Sequence, residues 1–525
     1  MTDIQSETPG RRSTTRTSSR SSEGGDSARA RLNRAAQTYE TSGRSFIVLI
    51  FLICVIIPAF FFIGPVRLTF LRVLLLLAFT PLFLRWLTGA YNGIRLPDIL
   101  ICLHMFWIVL AMTQNHTVAR AFEFAGVQGV EIFCAYLLGR VYVNNLASFL
   151  FFVRTFLWIL AFLLPLALYE ALFEDIPLLM VIDKIPFLQG IVNVQHEMRL
   201  GLHRAQVAME HPILFGVFCS MGFSLAWSAL AATGAGRGKR LRWTFVAGIT
   251  GFLSLSTGAL LGMVVQSGLF FYEYITTHIV NVAKRWRLLT FTTIFFYVVI
   301  DLLSNRTPVT IFISVATFNT GAAYNRVLIW KYGSAVMWDN PIFGKGLRYW
   351  YRPLWMKASV DNFWLLTAMR YGIPAFLTLA GAFIVTAWKV GAMDFSDDLR
   401  RQACQKGWII AIVSVIISLC TVHIWSNSLS FLMFFLGAGV WMYTEQPDLS
   451  PAQMRARRMG NRGGEDGEAA SDGSSDETNG EGTDSRGGAS ARRTPTRRGG
   501  RMSRAERNAV KTERNARRRD GPERK

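Results

Sequence analysis

The chain lacks a cysteine pattern, a nucleotide fingerprint and a serine nucleophile elbow. Its six cysteines are Cys54, Cys102, Cys134, Cys219, Cys404 and Cys420. None has a neighbour at metal-ligand or redox-motif spacing, and most lie inside apolar runs. They read as small buried apolar side chains, which excludes a disulfide framework and a zinc site. The expectation is therefore no metal and no cofactor. Gly344-Lys345-Gly346 lacks the spacing and following helix of a Walker loop. It reads as a flexible turn, with Lys345 a candidate phosphate contact. No repeat relates the two halves, which argues against a transporter built from internal repeats. No cleavable signal is expected, because the first apolar run starts only near residue 45.

What the chain does have is apolar length. Of its 525 residues 51% are hydrophobic, and the mean hydropathy is +0.28. The apolar residues fall into repeated runs near the ~20 residues that cross a bilayer. The expected fold class is all-α: a polytopic membrane helical bundle of about twelve transmembrane helices. The runs are 46–63, 67–88, 97–113, 121–142, 148–172, 210–232, two within 243–275, 288–303, 373–390, 407–424 and 426–444. A tight turn at 254–258 divides the long one. The bundle occupies 45–445, between a basic tail at 1–44 and a charged tail at 446–525, both expected to be disordered.

Charge orients this bundle. The formal net charge is +21. With both termini in the cytoplasm, GRGKRLR, AKRWR, the 389–406 loop and both tails fall inside, as the positive-inside bias requires. Nucleic-acid binding is the other reading of so basic a chain, and the bundle argues against it. The same count places two larger connections outside, 173–209 and 304–366, each carrying short helices. The second runs on to Gly372 and holds Arg306, Arg326, Lys331, Lys345, Arg348, Arg352 and Lys357 among Trp330, Trp338, Trp350, Trp355 and Trp364. Its charge opposes the topological bias, so it needs another reason.

Arginine suits pyrophosphate, because its guanidinium stays charged and presents a rigid fork of donors. Arg204 lies just before the sixth run, and Arg326 opens an amphipathic helix at 324–337. The blander reading is snorkelling toward headgroups. The tryptophans fit an interfacial belt, with Trp350 and Trp355 also suited to sugar stacking. Asp361-Asn362 precedes a helix, FWLLTAMRY. Asp361 is an ordinary N-cap there, or a carboxylate able to take a proton from a sugar hydroxyl. Glu210-His211-Pro212 opens the sixth run, where Glu210 and His211 read as capping and interface residues or as ligands. Arg72, Glu123, Glu131, Arg154, Glu170 and Asp301 mark an ion path or simply lie near run ends.

Four segments in order resemble the O-antigen ligase and polymerase superfamily. HRAQVAMEHPILFG is similar to its Arg-x-x-Gly motif before a Pro-containing helix start, with Gln206 and Val207 where Gly is common. FLSLSTGALLGMVV looks like its Leu-x-Ser-Arg-Gly turn, with Thr257 in the Arg position. NRVLIWKYGSAVMWDNPIFGKG resembles its Arg-x-x-x-Trp helix and Pro-x-x-Gly-x-Gly turn, and VDNFWLLTAMRYGIPAFL its His-Asn-x-x-Leu helix, with Asp361 in the His position. The resemblance implies a metal-independent, membrane-embedded glycosyltransferase of the bacterial inner membrane. Its donor is an undecaprenyl-pyrophosphate-linked glycan, used at the periplasmic face. By this carry-over Arg204 and Arg326 hold the pyrophosphate, with Arg199 or Lys345 covering the missing arginine. Asp361 and Arg326 are the catalytic candidates, and His211, Glu210 and Asn362 join the binding set. The Asp361 and Thr257 departures and the LLGR segment ending at Arg140 lean toward an exopolysaccharide polymerase. A ligase acting on a lipid A core, or a polyprenyl-glycan flippase, are the alternatives. Implied partners are inner-membrane lipids, a flippase and a chain-length regulator, with no nucleic acid.

Overall fold

Pro58 stops the first apolar run from remaining a helix. Helix α1 (Phe46–Val55) ends before it, since proline lacks an N–H and disfavours helix in the residue ahead of it. The aromatic AFFFI that follows forms strand β1 (Ala59–Ile63). It pairs antiparallel with β2 (Val66–Thr69), Phe60 opposite Thr69 and Ile63 opposite Val66, and with β3 (Gln189–Gly190). The expected first span of 46–63 is thereby corrected, and the second starts at Phe70 instead of 67. The sheet is also a small departure from all-α. It ties the 173–209 connection to the first hairpin, helped by Ile191 N donating to Pro58 O at 3.0 Å.

The structure, a computed structural model, describes residues 46–64, 66–89, 91–193, 196–276, 282–303, 311 and 320–444. The expected disorder of the tails, Arg306 and the side chains of AKRWR lie outside the described residues. The remaining helices are α2 (Phe70–Leu87), α3 (Leu96–Asn115), α4 (Val118–Gly129), α5 (Ala135–Tyr142), α6 (Leu146–Phe173), α7 (Pro177–Ile182), α8 (Pro212–Trp227) and α9 (Arg237–Phe252). Then follow α10 (Thr257–Thr276), α11 (Val282–Leu303), α12 (Thr320–Asp339), α13 (Phe363–Tyr371), α14 (Ile373–Gly391), α15 (Leu399–Ser418), α16 (Ser426–Gly437) and α17 (Trp441–Thr444). A π turn, Val130–Cys134, joins α4 to α5 in one continuous helix.

Among the described residues six helices are long and apolar enough to cross a membrane: α2, α3, the α4–α5 run, α6, α10 and α14. Helices α8 and α16 are shorter and buried nearly throughout. They form the interior of the bundle with α1 and α6. Phe51 stacks on Phe434 at 4.3 Å, and Phe218 meets Phe431 at 4.6 Å.

Apolar packing against lipid-like neighbours gives little driving force, so close fit and polar pairs fix such a bundle. Arg140 donates to buried Asp98 at 2.9 Å, and the Tyr136 hydroxyl donates to the same carboxylate at 2.5 Å. Arg72 pairs with Glu131 at 2.7 Å. Charges inside a membrane protein are paired in this way because an unpaired one is costly. Arg72, Glu131 and Glu170 thus have protein partners.

Candidate functional site

The expected turn between α9 and α10 is present, and three arginines converge on it. Residues 253–256 leave α9 and re-enter helix at Thr257. Leu255 takes a left-handed φ of 46°, and a Cβ on Gly258 would run into the Val422 side chain. The turn is therefore tight, and its carbonyls and hydroxyl point at neighbours. Arg199 Nη1 donates to Leu255 O at 2.7 Å, Arg204 Nε to Ser254 O at 3.4 Å, and Arg326 Nη2 to Thr257 Oγ1 at 3.2 Å. Arg326 Nε also donates to Thr421 O at 3.0 Å. Arg326 is 8% exposed, so its fork has a defined direction.

The segment that presents Arg204 is held from below. Val207, at a position where the resembled motif favours glycine, has φ 48°. That is the left-handed region a β-branched residue seldom enters. Glu170, at the end of α6, offsets the strain. Its two carboxylate oxygens accept Gln206 N at 2.9 Å and Val207 N at 2.8 Å. Ala205 N donates to Leu253 O at 3.0 Å, which fastens the segment to the arginine-bearing turn.

The cap of α13 is Asn362, whose side chain accepts Leu365 N at 2.9 Å. This corrects the reading of Asp361 as the cap and of Asn362 as a ligand. Asp361 faces a cavity of about 1050 Å³ that Arg199, Arg204, His211, Arg326 and Lys345 also line. Gly344 and Gly346, at φ 61° and 65°, let the turn around Lys345 lie against α13. Lys345 N donates to Met369 O at 2.8 Å and Gly346 N to Arg370 O at 2.9 Å. That turn is fastened, not flexible. His211 lines the cavity while its Nδ1 accepts Ile213 N at 3.1 Å, so it also caps α8.

Glu210 is not brought to this cavity. Its carboxylate accepts Arg67 Nη2 at 3.2 Å and Trp425 Nε1 at 2.7 Å. Arg140 is likewise elsewhere, held by Asp98 and by the carbonyls of Tyr91 and Gly93. Trp350 and Trp355 line the cavity, whereas Trp364 is buried with its indole N–H on Ile416 O at 3.0 Å.

Arg348, Arg352 and Lys357 of the basic stretch also line the cavity, and His196, Arg370, His423 and Trp425 join them without having been site candidates from sequence. His423 and Trp425 sit in the α15–α16 connection, His423 at the end of the expected run 407–424 and Trp425 between that run and the next. Phe363 N donates to Leu419 O and Val422 O, both at 3.0 Å, and so docks that connection on α13. His196 packs edge-on to His211 at 4.7 Å, and His423 stacks on Trp425 at 5.4 Å.

Charge dominates the site. Six arginines and two lysines line the cavity against two carboxylates, Glu197 and Asp361. Burial raises the Asp361 carboxyl above its ordinary range, and Arg326, Lys357 and Arg204 oppose that rise. Burial, then Arg199, lowers Arg204 to about 10, with Asp361 pulling the other way. Arg326 is lowered by burial and supported by Asp361. His196 falls to about 4, through burial and then the charges of Arg204, Arg199 and Lys357. It is neutral near pH 7. Such a cavity favours a multiply charged anion and keeps one carboxylate within the field of its arginines.

No protein-family model matches the chain, and no curated protein matches it in sequence.

Proposed function

We propose that the chain is a membrane-embedded glycosyltransferase that polymerises lipid-linked repeat units. The donor is a glycan on undecaprenyl pyrophosphate, and the acceptor is a sugar hydroxyl. In this reading about twelve crossings keep both termini in the cytoplasm of a bacterium, and the cavity opens to the periplasmic side of its inner membrane. The observation that carries the proposal is the convergence of Arg199, Arg204 and Arg326 on one turn beside Asp361.

The chemistry follows from that geometry. Fixed guanidinium groups bind the phosphoryl oxygens and favour the charge that grows as the bond from the anomeric carbon to pyrophosphate breaks. The acceptor oxygen forms the new bond to that carbon. Its proton passes to Asp361, whose raised pKa suits a base more than an ordinary carboxylate does. The leaving group comes with the donor, so the residues named here suffice for these steps.

Deleting the gene and examining the lipid-linked glycans tests the reading. A polymerase deletion leaves single repeat units on the carrier, facing the periplasm. Full-length polymer retained on the carrier would instead indicate a ligase, and single units facing the cytoplasm a flippase. Complementation with Arg326→Ala is expected to fail although the variant reaches the membrane.

A further inference from the structure

The cavity carries positive charge at a second place, which the convergence of Arg199, Arg204 and Arg326 on the α9–α10 turn does not include. Lys345, Arg348 and Arg352 line it. Different elements hold the two groups. The first hangs on the α9–α10 turn. In the second, Arg348 is held on the end of α3, where its Nη2 donates to Asn115 O at 2.7 Å and Leu347 N donates to His116 Nε2 at 2.8 Å, while the Lys345 turn is fastened to α13.

Arg352 is the best-defined member. Its Nε donates to Met356 O at 3.0 Å, and its guanidinium lies 4.4 Å from the Tyr349 ring and 5.7 Å from the Trp350 ring. Its Nη1 is buried and has no hydrogen-bond partner among the described residues. Trp350 is itself fixed by its indole N–H on Ala358 O at 3.1 Å. A guanidinium beside two aromatic rings, with Nη1 left without a partner among the described residues, suits a carboxylate acceptor. The adjacent rings offer apolar faces to sugar rings. Among the described residues no carboxylate forms an ion pair with any of the three cations. The remaining cavity carboxylate, Glu197, lies beside His196 and Arg199 in the chain.

We infer that Lys345, Arg348 and Arg352, with Tyr349, Trp350 and Trp355, form a subsite for an anionic sugar chain whose residues carry carboxylates. Its place beside the pyrophosphate rests on the glycosyltransferase reading; its recognition chemistry does not. At about 1050 Å³ the cavity matches the upper range of single-ligand pockets, which leaves room for sugars next to a pyrophosphate. Cavity walls with so large an excess of positive charge also focus the field on an incoming polyanion, so binding weakens with salt.

The test titrates the full chain in phosphatidylcholine nanodiscs with tetragalacturonate, maltotetraose and geranyl pyrophosphate. Tetragalacturonate binds and is displaced by salt, whereas maltotetraose binds at least about tenfold more weakly, the equivalent of one charge-assisted contact. Arg352→Gln weakens tetragalacturonate by about tenfold. It leaves geranyl pyrophosphate within about twofold, as separate sites require, which also shows that the variant folds. Equal binding of the neutral and acidic sugars, or an unchanged tetragalacturonate affinity in Arg352→Gln, overturns the subsite. So does loss of tetragalacturonate binding when the disc lipid is phosphatidylglycerol, because the cluster then belongs to headgroups. Tetragalacturonate binding without geranyl pyrophosphate binding overturns the pyrophosphate reading alone.

Discussion

Arg326 donates to the hydroxyl of Thr257 at 3.2 Å. Thr257 stands where the resembled turn carries an arginine, and here its hydroxyl supports a guanidinium that meets the turn beside those of Arg199 and Arg204. Thr257→Val keeps the shape and removes the acceptor. It is expected to weaken geranyl pyrophosphate binding by about tenfold, the effect of one hydrogen bond to a charged group. Thr257→Ser is expected to restore it. Calorimetric titration checks both, and equal affinity in the valine and serine variants would remove Thr257 from the positioning of Arg326.

Glu170 serves two buried backbone N–H groups, those of Gln206 and Val207. Glu170→Gln replaces one acceptor oxygen by a donor and leaves a buried N–H without a partner. The expected cost is about 1–3 kcal/mol of stability, read as a lower melting temperature in detergent. Because the same backbone carries Arg204, geranyl pyrophosphate affinity falls as well. An unchanged affinity would separate the strained backbone from the site.

Asp361 and Asn362 are adjacent but do different work. Asn362→Ala removes the α13 cap and costs about 1 kcal/mol. Asp361→Asn leaves that cap intact and is expected to abolish glycan transfer in protein that still folds. The acid limb of the activity profile lies above the ordinary carboxylate range, because burial raises Asp361. Lys357→Gln removes a charge that opposes the rise, so the limb moves to still higher pH. The stability sign is opposite to that of activity: the contribution of a raised carboxyl is present at low pH and is lost as pH rises through the folded value. A limb that moves to lower pH in Lys357→Gln would contradict this assignment.

Much of this was legible in the chain, for physical reasons that differ by element. The 254–258 turn showed itself because a polar Ser-Leu-Ser-Thr-Gly stretch interrupts an apolar run too long for one crossing. Arg326 and Arg204 stood out because cations in connections expected outside oppose the membrane charge bias. Strand β1 was hidden, since five apolar residues after a proline fit a span end as well as a strand. Glu210 was misplaced because its partners, Arg67 and Trp425, are 143 and 215 residues distant in sequence. His423 and Trp425 were invisible for the same reason: only the docking of the α15–α16 connection on α13 brings them to the cavity.

His196 gives a second pH signature. Burial and the neighbouring cations depress its imidazole to about 4. Its contribution to stability is therefore present above the ordinary value near 6.5 and is lost as pH falls through about 4. His196→Asn is expected to flatten the fall in melting temperature across that window. An unchanged slope would place the imidazole in water, outside the field of Arg204 and Arg199.

The central claim is that Arg326 acts on a polyprenyl-pyrophosphate donor. It is tested most directly with purified full-length protein and a radiolabelled oligosaccharide linked to undecaprenyl pyrophosphate. Elongation of the glycan and release of undecaprenyl pyrophosphate are measured together. The account predicts both products with the native chain, formed in equal amounts, and neither with Arg326→Ala. Elongation by Arg326→Ala at the native rate, or no transfer by the native chain, would contradict it.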